Sequence, residues 1–300
     1  MSTSSAALRA ATRGSPLARW QSDHVAALLG RGAGAVVVET VVIETEGDRR
    51  ADVPIRQIAG RGVFVKEVQA AVLDGRADFA VHSAKDLPSS PTPGLSIVAV
   101  PERGDPRDAL VGGVLTELAP GALVATGSVR RRAQLAGLRP DLTFADLRGS
   151  IDTRLAKAGR YSAIVMAAVA LARLERRPAV VDVLDADVMV PQVGQGALAL
   201  ECRTGDEAVA RVLATVDHRP SHLALDAERA WLATLGGGCD VPAGALARVD
   251  DDGGICLSGL LASLDGHIVV RATLTGRNPA AVGRTLARRL LDLYPNYRTV

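Results

Sequence analysis

A cysteine in a run of glycines is the most chemically suggestive feature of this 300-residue chain. Cys239 follows Gly236, Gly237 and Gly238, and Pro242 comes three residues later. Glycines bring no side chains to a packed face, and a proline stops a helix or strand from continuing. The thiol is therefore expected to be presented as a nucleophile or a covalent anchor. A glycine-rich turn that happens to contain a small residue is the alternative interpretation.

Lys85 is the most suggestive basic residue, because it is one of three lysines in an arginine-rich chain and arginine cannot replace a compact ammonium group where it is tightly packed. Asp86 follows it within residues 82–88, directly after a predicted strand over residues 78–81. Open α/β sheets bind ligands at the carboxyl ends of their strands, so this lysine–aspartate pair is expected in a site. A solvated surface pair is the alternative.

Arginines gather at other predicted strand ends. Only three of the 35 basic residues are lysines, so a single arginine is uninformative and a cluster is informative. The clustered arginines follow the segment Thr126-Gly127-Ser128 or stand at neighbouring helix ends: Arg130, Arg131, Arg148, Arg154 and Arg173. Guanidinium groups bind carboxylates through two hydrogen bonds, which predicts a ligand with several carboxylates or phosphates. A solvated basic helix face is the alternative.

Alternating strands and helices must position these residues. A strand over residues 8–11 leads to Ser15, the predicted N-cap of a helix that begins at Pro16. A β-branched run, residues 35–43, is typical of a strand buried on both faces. The pattern of strand, loop and helix repeats after a polar boundary at residues 101–108, and a second crossing at 191–196 contains Gln195. Two α/β units with two crossings predict a hinged, two-lobed protein.

A third unit follows residue 219. Its pattern predicts a helix over residues 221–235, strands near residues 243–249, 255–264 and 267–273, and a helix over residues 279–291. Asp265-Gly266 is a strong hairpin signal between the last two strands.

Composition argues against several classes of protein. The net charge of +2 says little about nucleic acid, but two Trp, three Tyr and three Phe leave few surfaces on which single-stranded bases could stack. The longest apolar run, residues 163–172, is too short to span a bilayer, and the first residues lack a signal-peptide pattern. We therefore expect a cytoplasmic protein that does not bind membranes.

The cysteines and histidines argue against a disulfide framework and a metal site. Three cysteines are sparse for this length, so reduced thiols are expected. The nearest histidine pair, His218 and His222, straddles Pro220 and cannot share a regular helical face.

Seven motifs in order give the chain a resemblance to the hydroxymethylbilane synthase, or porphobilinogen deaminase, family over essentially its full length. They are Ala11-Thr12-Arg13 with Ser15-Pro16-Leu17-Ala18, Phe64-Val65-Lys66-Glu67, residues 78–88, 126–131, 147–155 and 193–201, and Gly237-Gly238-Cys239 with Val241-Pro242. All three lysines stand where the family has lysine. The departures are Ala125, Gly127, Arg61, Ser150 and Asp240, of which Gly127 removes one hydroxyl from the predicted anion site.

The resemblance implies a fold and a domain division. The fold would be α/β, with two periplasmic-binding-protein-like doubly wound lobes joined by a two-strand hinge and a small C-terminal α+β domain. Lobe 1 would comprise residues 1–102 and 202–219, lobe 2 residues 103–201, and the C-terminal domain residues 220–300. The protein would be a monomer that acts without nucleic acid or membrane.

The resemblance also implies an activity. The family condenses four porphobilinogen molecules into hydroxymethylbilane and releases ammonia, on a dipyrromethane cofactor attached by a thioether at the position of Cys239. Asp86 would stabilise the positive charge that develops on the pyrroles. The other cofactor-binding residues would be Lys85, Ser83, Thr126, Ser128, Arg130 and Arg131, and the substrate-binding residues Arg13, Ser15, Arg148, Arg154, Arg173 and Gln195. A two-lobed binding protein for a small anion, without catalysis, is the alternative function.

Overall fold

The computed structural model describes residues 7–31, 36–45, 65–236, 241–295 and 297. The chain forms two compact units, one of residues 1–103 and 197–222 and the other of residues 104–196 and 223–300. Across the described ranges, no helix has the length and apolar character needed to cross a membrane.

The strands are β1 (Leu8–Arg13), β2 (Val38–Ile43), β3 (Phe79–Ser83), β4 (Leu95–Ala99), β5 (Asp108–Val111), β6 (Leu123–Ala125), β7 (Thr143–Ala145), β8 (Ala163–Ala167), β9 (Val181–Leu184), β10 (Leu198–Arg203), β11 (Ala243–Val249), β12 (Ile255–Ala262) and β13 (Val269–Gly276). The helices are α1 (Pro16–Arg31), α2 (Lys66–Leu73), α3 (Val129–Leu138), α4 (Ile151–Lys157), α5 (Ala168–Arg173), α6 (Glu207–Ala214), α7 (Arg219–Leu235) and α8 (Pro279–Leu293). Short 3₁₀ turns span Ala84–Asp86 and Ala158–Arg160.

The first unit contains a five-stranded sheet in the order β2-β1-β3-β10-β4. β1 pairs in parallel with β2 and β3, and β10 pairs antiparallel with β3 and β4. Successive strand residues point to opposite faces of a sheet. Ala10 therefore packs in a core with Val25 of α1, whereas Ala11 packs in another core with Val68 of α2. Helices thus cover both faces of the sheet.

β2 lies at the edge of this sheet, which corrects one prediction. The β-branched run predicted a strand buried on both faces, but the strand begins only at Val38 and exposes Glu39, Thr40 and Val42. Only β1 borders it. Residue type alone did not distinguish this edge strand from an interior one.

The second unit contains a sheet of the same topology, in the order β7-β6-β8-β5-β9. β6 pairs in parallel with β7 and β8, and β5 pairs antiparallel with β8 and β9. Leu110 packs in a core with Leu135 of α3, and Ala109 packs in a core with Leu171 of α5. An antiparallel strand therefore occupies the fourth place in each sheet, β10 in one and β5 in the other.

The strands β5 and β9 were missed from sequence. Prolines, a glycine and alternating charges predicted a domain boundary over residues 101–108, yet Asp108 opens β5, which is buried at every position. A carboxylate in a buried strand requires compensating charge. That charge comes from side chains distant in sequence, as described below.

The C-terminal part of the second unit is an antiparallel sheet in the order β11-β12-β13. α7 and α8 pack on it around a core that includes Trp231, Leu257 and Leu286. The turn predicted at Asp265-Gly266 is present, and Gly266 has a φ of 78°. The connection is longer than predicted, because β12 ends at Ala262 and β13 begins at Val269.

α3 rests on this hairpin through two glycines. A Cβ added to Gly137 would lie 2.9 Å from the carbonyl oxygen of Gly266, and a Cβ on Gly266 would overlap the carbonyl oxygen of Ala133. Neither position has room for a side chain. The close approach fixes α3, and with it the arginines of its first turn, against the C-terminal sheet.

The predicted α/β class is confirmed, with two doubly wound sheets and a small C-terminal α+β part. Residues 198–201, which the predicted division places in lobe 2, belong to β10 in the first sheet. The three-domain boundaries and the two-strand hinge stay predictions.

Candidate active site

A small cavity lies in the first unit where the neighbouring parallel strands β1 and β3 end. Because such strands present their carboxyl ends at the same edge, the loop after β1 meets the 3₁₀ turn Ala84–Asp86 there. The polar residues that line the cavity are Thr12, Arg13, Ser15, Gln21, His82, Ser83 and Asp86. The structure thus brings together four residues predicted from sequence: Arg13, Ser15, Ser83 and Asp86.

Asp86 is half-buried, and its carboxylate has no hydrogen bond or ion pair with another described residue. Its turn is fixed by the backbone, because the N–H of Leu87 donates to the carbonyl of Ala84 at 3.3 Å and the N–H of Ala84 donates to Ala197 at 3.0 Å. Lys85, the adjacent residue, is also half-buried. The carboxylate of Asp86 is therefore held in place and available to a ligand.

The start of α1 forms the opposite wall of the cavity. Ser15 caps the helix as predicted, since its Oγ accepts the N–H of Ala18 at 3.2 Å. Gln21, one turn further on, donates from Nε2 to Oγ of Ser83 at 2.7 Å and so orients that hydroxyl. Gln21 was missed from sequence. The available signal was an amide on the buried face that also carries Val25 and Leu29.

A buried polar chain lies behind this cavity. Nε2 of His82 lies 3.1 Å from Oε2 of Glu201 on β10. Gln69 of α2 donates from Nε2 to both oxygens of Glu201, at 3.1 and 2.8 Å, and its own Oε1 accepts from Thr92 at 3.0 Å. His82 belongs to the predicted site segment 82–88, whereas Gln69, Thr92 and Glu201 were not singled out from sequence, because α2 and β10 meet β3 only in the folded chain.

The second unit contains a buried cluster of charges. Asp108 is fully enclosed, and it pairs with two arginines from the first turn of α3. Nη2 of Arg130 lies 2.7 Å from Oδ2, whereas Nε and Nη2 of Arg131 lie 3.0 and 2.8 Å from Oδ1. Gln195 also donates from Nε2 to Oδ1 at 2.8 Å. This places three predicted site residues, Arg130, Arg131 and Gln195, around one unpredicted carboxylate.

The two arginines of this cluster keep the carboxylate of Asp108 ionised. Burial alone would raise the pKa of Asp108, but Arg130 and Arg131 together hold it at about 2. Burial lowers the pKa of Arg130, and Asp108 opposes that effect. Two guanidinium groups face one carboxylate, and Nε of Arg130 is buried without a hydrogen-bond partner in the described chain. The cluster therefore carries surplus positive charge and one unused donor.

The predicted anion site at the start of α3 has the expected cap. Oγ of Ser128 accepts the N–H of Arg131 at 3.4 Å, and the buried Thr126 accepts the N–H of Ser128 at 3.2 Å. The departure at Gly127 has a steric reason, since a Cβ there would lie 2.8 Å from the carbonyl oxygen of Leu147. A serine at this position would require that loop to move.

The other predicted arginines also lie in the second unit. Arg154 of α4 donates from Nε to the carbonyl of Gly149 at 2.8 Å, and Arg173 at the end of α5 donates to the carbonyl of Gly196 at 2.8 Å. Burial lowers the pKa of Arg173 to about 10. Burial also lowers the pKa of Arg148, opposed by Asp146. Arg148 and Arg173 therefore carry their charges in a partly desolvated setting.

Cys239 lies outside the described residues, and α7, which precedes it in the chain, ends at Leu235. Glu228 of α7 is fully buried, and its carboxylate accepts the N–H of Gly194 at 2.7 Å and the N–H of Ala247 at 2.9 Å. α7 is thereby tied both to β11 and to the segment that carries Gln195. Among the described residues no group of His, Cys, Asp and Glu side chains is arranged to hold a metal ion.

Comparisons with known proteins agree along the chain. Residues 8–211 match a family model described as the porphobilinogen deaminase dipyrromethane cofactor-binding domain, and residues 222–292 match the porphobilinogen deaminase C-terminal domain. A porphobilinogen deaminase from Acidothermus cellulolyticus is 48% identical over 295 residues, which cover 95% of this chain and 88% of that protein. One from Roseiflexus castenholzii is 46% identical over 288 residues, which cover 94% of each chain. The chain belongs to the porphobilinogen deaminase family.

Proposed function

We propose that the chain is a hydroxymethylbilane synthase, a transferase of tetrapyrrole biosynthesis. It condenses four porphobilinogen molecules head to tail, releases one ammonia at each condensation and finally frees hydroxymethylbilane by hydrolysis. The family membership supports this activity. The structural observation that carries it is the cavity of the first unit, where the unengaged carboxylate of Asp86 and the guanidinium of Arg13 line the same space.

The residues of the second unit fit a dipyrromethane cofactor, whose two rings carry four carboxylates. The surplus positive charge of the Asp108 cluster and the unused Nε of Arg130 both suit a polyanionic ligand. When bound, the cofactor supplies the primer to which pyrroles are added. The residues proposed to hold it are Cys239 (covalently), Lys85, Ser83, Thr126, Ser128, Arg130 and Arg131.

Asp86 is proposed as the catalytic residue. When porphobilinogen loses ammonia, positive charge develops on its pyrrole nitrogen, and a carboxylate directed at that N–H stabilises the transition state more than the ground state. A half-buried carboxylate suits this role because nearby protein excludes part of the water that would screen it. The backbone bonds of the 3₁₀ turn hold Asp86 without consuming its oxygens.

The substrate carboxylates require several cations. We assign the acetate and propionate arms of incoming and added pyrroles to Arg13, Ser15, Arg148, Arg154, Arg173 and Gln195. The lowered pKa values of Arg148 and Arg173 support this assignment, because a desolvated guanidinium gains more from a carboxylate than a hydrated one.

The proposed setting is a cytoplasmic monomer that acts without nucleic acid. The near-neutral net charge, the few aromatic residues and the sparse cysteines support it. Light scattering during size-exclusion chromatography measures the oligomeric state directly. A stable dimer would contradict the monomer.

The mass of the denatured protein tests the proposed activity against the alternative of a non-catalytic anion-binding protein, which the family matches do not favour. The enzyme should carry the added mass of a dipyrromethane, and Cys239→Ser should lose both that mass and all turnover, because a hydroxyl is a far weaker nucleophile than a thiolate. Cys256→Ser, on β12, is the matched control and should keep both. Normal cofactor loading in the Cys239 variant would contradict the assignment.

A further inference from the structure

One titratable pair beside the candidate site is not used by the proposed function. His82 and Glu201 are 5% and 4% exposed, and they lie within hydrogen-bonding distance of each other, Nε2 to Oε2. A buried carboxylate and a buried imidazole are costly to enclose unless their hydrogen bonds are satisfied. A buried pair whose histidine lines the same cavity as Asp86 is therefore a candidate for function.

The hydrogen bonds around Glu201 determine which nitrogen of His82 bears the hydrogen. Oε1 of Gln69 accepts from Thr92, so its Nε2 is the end that donates to both oxygens of Glu201. An ionised carboxylate only accepts hydrogen bonds. Nε2 of His82 must therefore carry the hydrogen and donate it to Glu201, which leaves the lone pair of the neutral ring on Nδ1.

Nδ1 of His82 is partly accessible. It has no hydrogen bond to a described residue, and it is not among the fully enclosed polar side-chain atoms that lack a partner in the described chain. His82 lines the cavity. Within the described ranges, the charged side chains that contact the ring or line its cavity are Glu201 from β10, Arg13 from the end of β1 and Asp86 from the 3₁₀ turn.

We propose that His82 is a second catalytic residue, which accepts a proton at Nδ1, and that Glu201 and Gln69 are positioning residues. The proposal rests on the proposed function. In each condensation the C–N bond of the incoming aminomethyl arm breaks, a C–C bond forms between its methylene and the free ring carbon of the terminal pyrrole, and that attacking ring carbon loses its proton. The lone pair of Nδ1 takes that proton, the carboxylate of Glu201 stabilises the imidazolium, and the proton then passes to the released ammonia, which departs as ammonium.

Asp86 and His82 are assigned different roles because a carboxylate and an imidazole have different chemistry. Asp86 supplies a fixed negative charge for a cation, whereas the cycle also needs a base that is regenerated at each of four condensations. An imidazole held in one tautomer by a carboxylate is suited to that exchange at neutral pH. The cavity side of the ring meets the substrate, and the Glu201 side holds the ring in place.

Deuterated porphobilinogen tests the proton transfer. In His82→Gln, single-turnover condensation on cofactor-loaded protein should slow on the order of a hundredfold to ten-thousandfold, with KM little changed. Porphobilinogen deuterated at its free ring carbon should show a larger isotope effect in this variant than in the parent enzyme from the second condensation onward. In those steps the deuterated carbon of the previously added pyrrole attacks, and its deuteron must be removed in the slow step. His222→Gln is the matched control: its Nδ1 lies 2.7 Å from Asp217, away from the cavity lining, and its kinetics should be unchanged.

The tautomer of His82 gives a second measurement that needs neither a variant nor turnover. Nitrogen-15 NMR of the parent protein should find the ring hydrogen of His82 on Nε2. A hydrogen on Nδ1 in the neutral ring would overturn the proposal, as would an unchanged isotope effect in a folded His82→Gln protein. A parent protein that loads its cofactor but does not consume porphobilinogen would instead overturn the proposed function.

Discussion

The two units arrange their charged residues in opposite ways. In the first unit, Asp86 and Arg13 are half-buried and line a cavity, and Asp86 has no ion pair with a described residue. In the second unit, Asp108, Arg130 and Arg131 are buried and paired with one another. The sheets that carry them have the same strand order. Topology alone therefore does not decide how a strand end is used.

The difference indicates two electrostatic roles: stabilising charge that develops on a substrate, and holding a polyanion that is already charged. A group that must respond to charge appearing on a substrate has to be accessible and uncommitted, as Asp86 is. A group that only holds a polyanion in place is best fixed in advance, because ordering it upon binding costs affinity. The buried pairs of the second unit gain little net stability from their own attraction. Their value lies in the geometry of the two guanidinium groups.

The largest effect on stability is expected from Asp108→Asn. The change leaves two buried guanidinium groups without their carboxylate, so the free energy of unfolding should fall by about 3 to 5 kcal/mol. Asp105→Asn is the matched control: its pair with Arg107 is only partly buried, with side chains 34% and 41% exposed, and should contribute at most about 1 kcal/mol. Urea denaturation measures both. Equal losses would mean that the buried cluster behaves as a surface pair.

Asp86→Asn tests the first unit in the same way, with rate as the main readout. It keeps the size of the side chain but removes its charge, so porphobilinogen turnover should fall at least about a hundredfold, whereas stability and cofactor loading change little. Asp74→Asn, an exposed carboxylate of the same unit paired with Arg76, should have no effect on rate. Single-turnover kinetics on cofactor-loaded protein measure the condensation rate of both variants. Wild-type rates in Asp86→Asn would show that another group stabilises the cation.

Two arginine variants separate holding the cofactor from extending the chain. Arg131→Leu should block cofactor assembly, and Arg154→Leu should spare the cofactor but impair later condensations, each loss corresponding to roughly 1.5 to 3 kcal/mol. Arg132→Leu is the control beside Arg131, because its exposed guanidinium lies over the ring of Phe144 instead of entering the cluster. Mass spectrometry of the three variants measures both the attached cofactor and the enzyme-bound pyrrole intermediates. Wild-type loading in a folded Arg131→Leu protein would contradict the assignment.

The smallest expected effect is a pH dependence. The pKa of Asp108 is about 2 in the folded chain against an ordinary value of 3.8, so its ionised form favours folding. That contribution, about 2 kcal/mol, should be complete above about pH 4 and lost as the pH falls towards 2. The stability difference between the parent and Asp108→Asn should therefore shrink on acidification. A difference independent of pH would show that titration of Asp108 is not coupled to folding.

Much of the first unit's site could be predicted from local sequence. Parallel strands end at one edge, so Arg13 and Asp86, each just after a predicted strand, had to lie near the same place. Ser15 and Ser128 were identifiable as caps because a hydroxyl before a helix satisfies its free N–H groups. The motifs that indicated the family lie mostly in such loops, where the backbone and the chemistry are specified within a few residues.

The sequence by itself determined the alternation of strands and helices, the strand-end positions of the candidate residues and the resemblance to one family. The tertiary structure decided which buried side chains pair with these residues. β5 and β10 enter their sheets antiparallel, beside strands distant in sequence, and they bring Asp108 to Arg130 and Glu201 to His82. Such pairings depend on strand order and register between segments up to 119 residues apart, which local periodicity does not encode.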